Sequence, residues 1–172
     1  MIEWISASCN PEALSKARSF LDDHDGTLYD VSSFPGGVDG TIKMLEEKGN
    51  ILVAINNENV LGVVGYTFGE PSKDFLNTGI AYVYIMMIRE DHQRSAVLIK
   101  KYCHALIGNI RNNPKCTHIR FKTYKEADYL NNLFMKFAAQ LREEANTQGR
   151  MCYLYELEID NNPRLARLGL PT

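Results

Sequence analysis

Residues 81–109 read AYVYIMMIREDHQRSAVLIKKYCHALIGN. Ala81–Ile88 is an unbroken apolar and aromatic run, which predicts a strand buried on both faces. A short polar segment follows from Arg89 to Ser95, and an amphipathic helix opens at about Ala96. Val97, Leu98, Tyr102, Ala105, Leu106 and Ile110 would form its inner face, with Lys100, Lys101 and Arg111 outside. Asn112-Asn113-Pro114 stops it. A strand that runs into a helix start presents unpaired backbone N–H groups at the positive end of the helix dipole, which suits a phosphate or pyrophosphate.

Upstream, Ile2–Ser8 predicts a short strand. Asn10 would cap a helix with Pro11 at its first position, carrying Ala13, Leu14, Ala17, Phe20 and Leu21 at helical spacing. Asp22–Gly26 ends it. Residues 27–37 form a loop anchored by Tyr29 and Phe34, and Asp39–Lys48 reads as a second short helix ended by Gly49. Ile51–Ile55 and Val60–Phe68 are strands joined by Asn56-Asn57-Glu58-Asn59, a hairpin signal. Gly62 and Gly65 inside the second of these imply a bend or a close neighbour. Residues 69–79 are a polar connection to the Ala81–Ile88 strand.

Downstream, Thr117–Tyr124 alternates as a strand and Lys125–Ala138 is helical, with Ala127, Leu130, Leu133, Phe134 and Phe137 on one side. Gln140–Ala145 either extends that helix or forms a strand. Asn146–Gly149 is a turn, Arg150–Ile159 a strand, and Asn161 onward a tail. The order β-α-α-β-β-β-α-β-α-β-β describes an α/β protein (α+β, mixed sheet) with one domain over residues 1–160 and a tail over 161–172. No internal repeat and no Gly-x-Gly-x-x-Gly interrupts it.

Composition bounds the function. At 172 residues, 45% apolar and 23% charged, the chain is long enough for one ordinary core. A net charge of −2 gives no general pull toward nucleic acid or anionic membrane. Cys9, Cys103, Cys116 and Cys152 lack metal-ligand or Cys-x-x-Cys spacing and read as reduced thiols of a cytoplasmic protein. No metal site is expected from His24, His92, His104 or His118. The start of the chain lacks the features of a signal peptide, and no apolar run reaches the length of a membrane span.

The element order, with a hairpin before the central strand, resembles the GNAT N-acetyltransferase superfamily over roughly Ile2 to Ile159. In that family the fourth strand ends in an aliphatic residue, and a loop of the form Arg/Gln-x-x-Gly-x-Gly/Ala cradles the pyrophosphate of acetyl-CoA. Ile88 matches the aliphatic residue and Gln93 the loop's first position. Ala96 and Leu98 stand where the family has glycines. The resemblance implies that backbone N–H groups of Gln93, Ser95, Ala96 and Leu98 face the pyrophosphate, with Val97 in the same turn and Arg94 adding a phosphate contact. It implies that the backbone of Met86 and Ile88 pairs with the pantetheine arm, and that an N–H near Met87 or Ile88 polarises the acetyl carbonyl.

Further down, Phe134 falls where the family carries a proton-donating tyrosine, Ala127 where it carries an asparagine, and Ala138-Ala139 where it carries Gly-Phe. Tyr124 and Tyr129 are candidates to replace the tyrosine. Tyr82 falls where some members place a glutamate base; an ordinary tyrosine, with a pKa of about 10, is a poor base at neutral pH and would orient an acceptor or relay a proton through water. Tyr84 lies on the same strand. The implied activity is transfer of an acetyl group from acetyl-CoA, as co-substrate, to a primary amine of a small molecule, peptide or protein, by direct attack. A GNAT-fold binding or regulatory protein, or one using another acyl donor, is the alternative. Oligomeric state is left open, with room for a homodimer.

Overall fold

A computed structural model describes residues 2–24, 36–93, 95–146, 149–160, 162–167 and 169–170. The loop anchors Tyr29 and Phe34, and Asp25, lie outside the described residues. The elements are β1 (Glu3–Ser6), α1 (Pro11–Asp22), α2 (Gly37–Lys48), β2 (Gly49–Asn56), β3 (Asn59–Phe68), β4 (Ile80–Ile88), α3 (Ala96–Ile110), β5 (His118–Tyr124), α4 (Asp128–Phe134), β6 (Ala139–Ala145), β7 (Met151–Glu158) and α5 (Pro163–Arg167). Seven strands form one mixed sheet in the order β1-β2-β3-β4-β5-β7-β6. The β4–β5 pair is parallel, whereas β1–β2, β2–β3, β5–β7 and β6–β7 are antiparallel. The predicted element order holds, and residues 139–145 are a strand. Two compact units divide the chain: Met1–Thr67 with Tyr84–Leu106, and Phe68–Val83 with Ile107–Thr172.

In the first unit, Asn10 caps α1 as its sequence predicts: its Oδ1 accepts from the Ala13 N–H at 3.0 Å, with Pro11 at the first helical position. Ala13, Ala17, Phe20 and Leu21 are buried. The β2–β3 hairpin turns on Asn57 and Glu58, both at positive φ, 48° and 68°. The right-handed twist of paired strands favours such turns. Both internal glycines of β3 have close neighbours. A Cβ on Gly65 would sit 2.5 Å from Leu45 Cδ1, and one on Gly62 would sit 2.6 Å from the Met87 carbonyl oxygen and 3.3 Å from the Tyr102 ring. The inner face of α3 differs from the expected stripe. Leu98, Ile99, Tyr102, Leu106, Ile107 and Ile110 are buried, whereas Val97 is 67% exposed.

In the second unit, α4 is half the predicted length: it ends early, at Phe134, and starts late, where a side chain takes the carbonyls of Tyr124 and Lys125. Asn131 Nδ2 donates to both, at 2.9 and 3.1 Å. Asn131 Oδ1 accepts from Thr123 Oγ1 and from the Tyr155 hydroxyl, the latter at 3.1 Å. A carboxamide has two donors and an acceptor oxygen, so this buried group is fully satisfied. The expected tail contains α5. Its Leu165 is buried, and Asn162 Oδ1 accepts from the Arg164 N–H at 3.0 Å.

Gly62→Ala should force β3 away from Met87 and Tyr102 and cost about 1–3 kcal/mol, the usual range for overpacking. A lowered urea midpoint checks this; an unchanged midpoint would show that the strands yield without cost.

Candidate functional site

The start of α3 and the end of β4 are both in the first unit. The burial expected on both faces of β4 holds for Ala81, Tyr82, Val83 and Ile85 but not for its end, where Met86 is 37% exposed. The strand's exit is pinned by the Arg89 N–H, which donates to the Leu61 carbonyl at 2.8 Å. A 3-10 turn over Glu90–His92 follows. Asp91 accepts two bonds from the Arg89 guanidinium, both 2.8 Å, and its Oδ1 lies 2.6 Å from His92 Nδ1. The guanidinium first, and then the imidazole, hold the Asp91 carboxyl well below the usual carboxylate range. Arg89 and His92 are thereby committed to this carboxylate. Two open grooves meet at Arg89. One, about 290 Å³, is lined by Lys16, Ser19, Asp23 and Glu58 among others; the second, about 460 Å³, is lined by His24, Glu90 and Asp91.

The turn into α3 is closed by its own groups. Gln93 Nε2 donates to the Ile88 carbonyl at 3.2 Å. The Gln93 N–H points to the Glu90 carbonyl at 3.3 Å and the Ser95 N–H to the His92 carbonyl at 3.0 Å. Ser95 caps the helix, its Oγ accepting from the Leu98 N–H at 3.2 Å. Of the four N–H groups that the resemblance assigns to a pyrophosphate, those of Gln93, Ser95 and Leu98 therefore have local acceptors. The N–H groups of Ala96 and Val97, in the first turn of α3, have no acceptor within a helix. Arg94 lies outside the described residues.

Leu98 occupies the second glycine position, yet its side chain is only 2% exposed and packs with Ala54 and Leu61. Tyr102, one turn on, donates its hydroxyl to the Val63 carbonyl and lies 3.4 Å from the Met87 carbonyl. Burial pushes its pKa well above the ordinary tyrosine value. The Trp4 ring meets Tyr102 edge-on at 4.6 Å. Sequence reasoning put Tyr102 on the helix's inner face but missed this hydrogen bond, for which a lone tyrosine in an apolar stripe is the only signal.

The four candidate tyrosines differ in setting. Tyr84 is half-buried in the first unit, and Tyr82 is 5% exposed in the second. Lys122 approaches Tyr82, with its Nζ 5.7 Å from the ring centroid and 2.6 Å from Glu144 Oε1. Burial alone would lower the Lys122 pKa. The Tyr82 oxygen and the Glu144 carboxylate outweigh burial and hold it above the ordinary lysine range. Tyr124 carries the Arg150 guanidinium 3.3 Å over its ring, and Arg150 pairs with Glu126. Tyr129 is half exposed on α4. Phe134, at the family's tyrosine position, is buried against Phe121 and Phe137, with ring centroids 4.7 and 5.7 Å apart. Among the described residues, no group of three or more His, Cys, Asp or Glu side chains could hold a metal ion. No helix among them is long and apolar enough to cross a membrane.

No protein-family model matches the chain, and no curated protein matches it. Solved structures do. An N-acetyltransferase from Staphylococcus aureus Mu50 superposes with a TM-score of 0.68 at 16% identity, over 92% of this chain and 98% of that one. The acetyltransferase of the GNAT family from Streptococcus pneumoniae gives 0.65 at 12% identity, over 92% and 99%. The NatC complex bound to Gag peptide and CoA gives 0.65 at 13% identity, over 91% and 98%. The fold is that of the GNAT acetyltransferases.

Ser95→Ala removes the α3 cap and should destabilise the chain by about 1 kcal/mol. Urea unfolding reads this loss; a variant as stable as the native chain would mean that the Ser95 hydroxyl does not cap α3.

Proposed function

We propose that this chain is an acyl-CoA-dependent N-acetyltransferase that moves an acetyl group from acetyl-CoA to a primary amine of a small molecule, peptide or protein by direct transfer. One observation carries the reading. The bulk that replaces the family's second glycine, Leu98, is turned into the core with Ala54 and Leu61, so the first turn of α3 presents backbone rather than side chain at that position. A glycine is needed in a phosphate loop only where a side chain would block close approach.

The residues that would hold the co-substrate are the end of β4 and the turn after it. The N–H groups of Ala96 and Val97 lie at the positive end of α3, where anions are favoured. The Leu98 N–H joins them when a phosphate oxygen takes the place of Ser95 Oγ. Gln93 shields the Ile88 carbonyl, and its side chain would have to turn aside for a pantetheine amide to pair there. Arg94 is assigned a phosphate contact. Met87 and Ile88 would supply the N–H that polarises the acetyl carbonyl. Acetyl-CoA supplies an activated thioester. On the acceptor side, Tyr82, Tyr84, Tyr124 and Tyr129 remain the candidate groups for orienting the amine and moving its proton.

A second reading is a GNAT-fold protein that binds without acetyl transfer or uses another acyl donor. The local acceptors already engaged by the N–H groups of Gln93, Ser95 and Leu98, and the buried Phe134 at the tyrosine position, favour it.

Isothermal titration of the full chain with acetyl-CoA should show one site for which CoA competes. Val97 is exposed, so Val97→Glu should leave stability within about 0.5 kcal/mol. It would place a carboxylate against the phosphates and weaken binding at least tenfold. No heat at millimolar acetyl-CoA would contradict the proposal.

A further inference from the structure

Several contacts within the first unit converge on one peptide group, that between Met87 and Ile88. In a regular strand the carbonyls lie in the plane of the sheet and the Cβ atoms stand off it. A Cβ on Gly62 of β3 would sit 2.6 Å from the Met87 carbonyl oxygen and 3.3 Å from the Tyr102 ring of α3. That missing Cβ points toward α3, so the Met87 carbonyl leans out of the sheet toward α3, over a position that a glycine leaves open. The Tyr102 hydroxyl, which donates to the Val63 carbonyl, lies 3.4 Å from the same Met87 oxygen. Its one proton is shared unequally between the two carbonyls. On the other side of the peptide, the Ile88 side chain packs against Ala54, Leu61 and Leu98. One residue on, the Arg89 N–H is fixed on the Leu61 carbonyl at 2.8 Å.

The peptide is thereby held at both ends. A trans peptide is planar, with its C=O and N–H pointing in opposite directions. A carbonyl turned toward α3 therefore turns the Ile88 N–H away from α3. Tyr102 is buried and its ring meets Trp4 edge-on at 4.6 Å, so the hydroxyl has little room to withdraw. Burial also pushes the phenol pKa well above its ordinary value, which keeps the O–H a neutral donor.

We propose that Tyr102 and Gly62 are positioning residues for acetyl transfer: they hold the Met87–Ile88 peptide turned out of β4, which fixes the Ile88 N–H as the donor to the thioester carbonyl of acetyl-CoA. The inference rests on the N-acetyltransferase reading and selects Ile88 over Met87 as the polarising N–H. Neither Tyr102 nor Gly62 touches the substrate. In the transfer, the amine nitrogen bonds to the thioester carbon and the C=O electron pair moves onto oxygen, where the Ile88 N–H meets it. The pair returns as the C–S bond breaks, CoA leaves as the thiolate, and the proton shed by the nitrogen ends on that sulfur. A donor fixed beforehand stabilises the charge on oxygen without reorganising during the step.

Two variants of the full chain act on this peptide in different ways. Tyr102→Phe keeps the ring and removes the O–H, whereas Gly62→Ala puts a methyl group where the Met87 oxygen sits; should one fail to fold, the other decides. In 15N,13C-labelled native protein, acetyl-CoA should move the Ile88 amide beyond the shift that CoA causes, because only the acetylated form brings a carbonyl to it. Both variants should lose that extra shift while binding CoA within about threefold of the native chain. Identical Ile88 shifts with the two ligands in the native chain overturn the assignment, and so does an acetyl-specific shift that persists in either variant.

Turnover supplies the second readout. Each variant should lower kcat by about tenfold or more, as expected for a misdirected oxyanion donor, and leave KM for acetyl-CoA within about twofold. A raised KM with kcat unchanged overturns the positioning role and leaves a contribution to binding alone. If the native chain binds neither CoA nor acetyl-CoA, the N-acetyltransferase reading falls. The ligand-free Met87 carbonyl 13C signal then still decides whether Tyr102 holds the peptide: it should move in Tyr102→Phe, and an unmoved signal overturns the contact.

Discussion

The Tyr102 hydroxyl is spent on a backbone carbonyl 39 residues away in the sequence, that of Val63, with Met87 O 3.4 Å off. One side chain on α3 thereby meets backbone from both β3 and β4, and it does so inside apolar surroundings. A buried hydroxyl without a partner costs roughly 1–3 kcal/mol, so this position of α3 on the strands is strongly preferred over others. Gly62 makes the approach possible, since any side chain there would enter the space of Met87 O and the Tyr102 ring. Trp4 closes the other side edge-on. The placement of the α3 start relative to the end of β4 follows from these contacts.

What that placement offers is backbone rather than side chain. Arg89 is committed to Asp91 and His92 lies against the same carboxylate. The charges of Arg89 and Asp91 therefore cancel against each other, and the helix itself adds a favourable field for an anion. Ser95 holds the Leu98 N–H. A cap of this kind satisfies an N–H until an anion replaces it, at the cost of the capping hydrogen bond. The arrangement is compatible with the two altered glycine positions because Leu98 contributes its methyl groups to the core and only its N–H to the helix start.

Much of the fold was legible because local rules and tertiary packing agree. Asn10-Pro11 set the start of α1, and Asn57-Glu58 the hairpin. The failures have physical reasons. α4 starts late because Asn131, which the apolar stripe does not include, is buried and takes the carbonyls of Tyr124 and Lys125. Nothing in a helical periodicity announces a polar residue that is satisfied from four sides. α5 was missed although Asn162-Pro163 repeats the Asn-Pro signal of Asn10-Pro11. Its helix is only five residues long and has a single buried anchor, Leu165. The α3 stripe included Val97 because its apolar neighbours run nearly unbroken, leaving periodicity little to discriminate. At the candidate site the sequence named Leu98 and Tyr82 but not their surroundings. The burial of Leu98 and the Lys122 ammonium on Tyr82 depend on residues from other strands, which local spacing does not reveal.

The central claim, that the first turn of α3 receives the phosphates of acetyl-CoA, is tested most directly at the backbone. In 15N-labelled protein, addition of CoA should shift the amide signals of Ala96, Val97 and Leu98 most strongly, as the Leu98 N–H leaves Ser95 for a phosphate oxygen. CoA binding that leaves those three amides unmoved would contradict it.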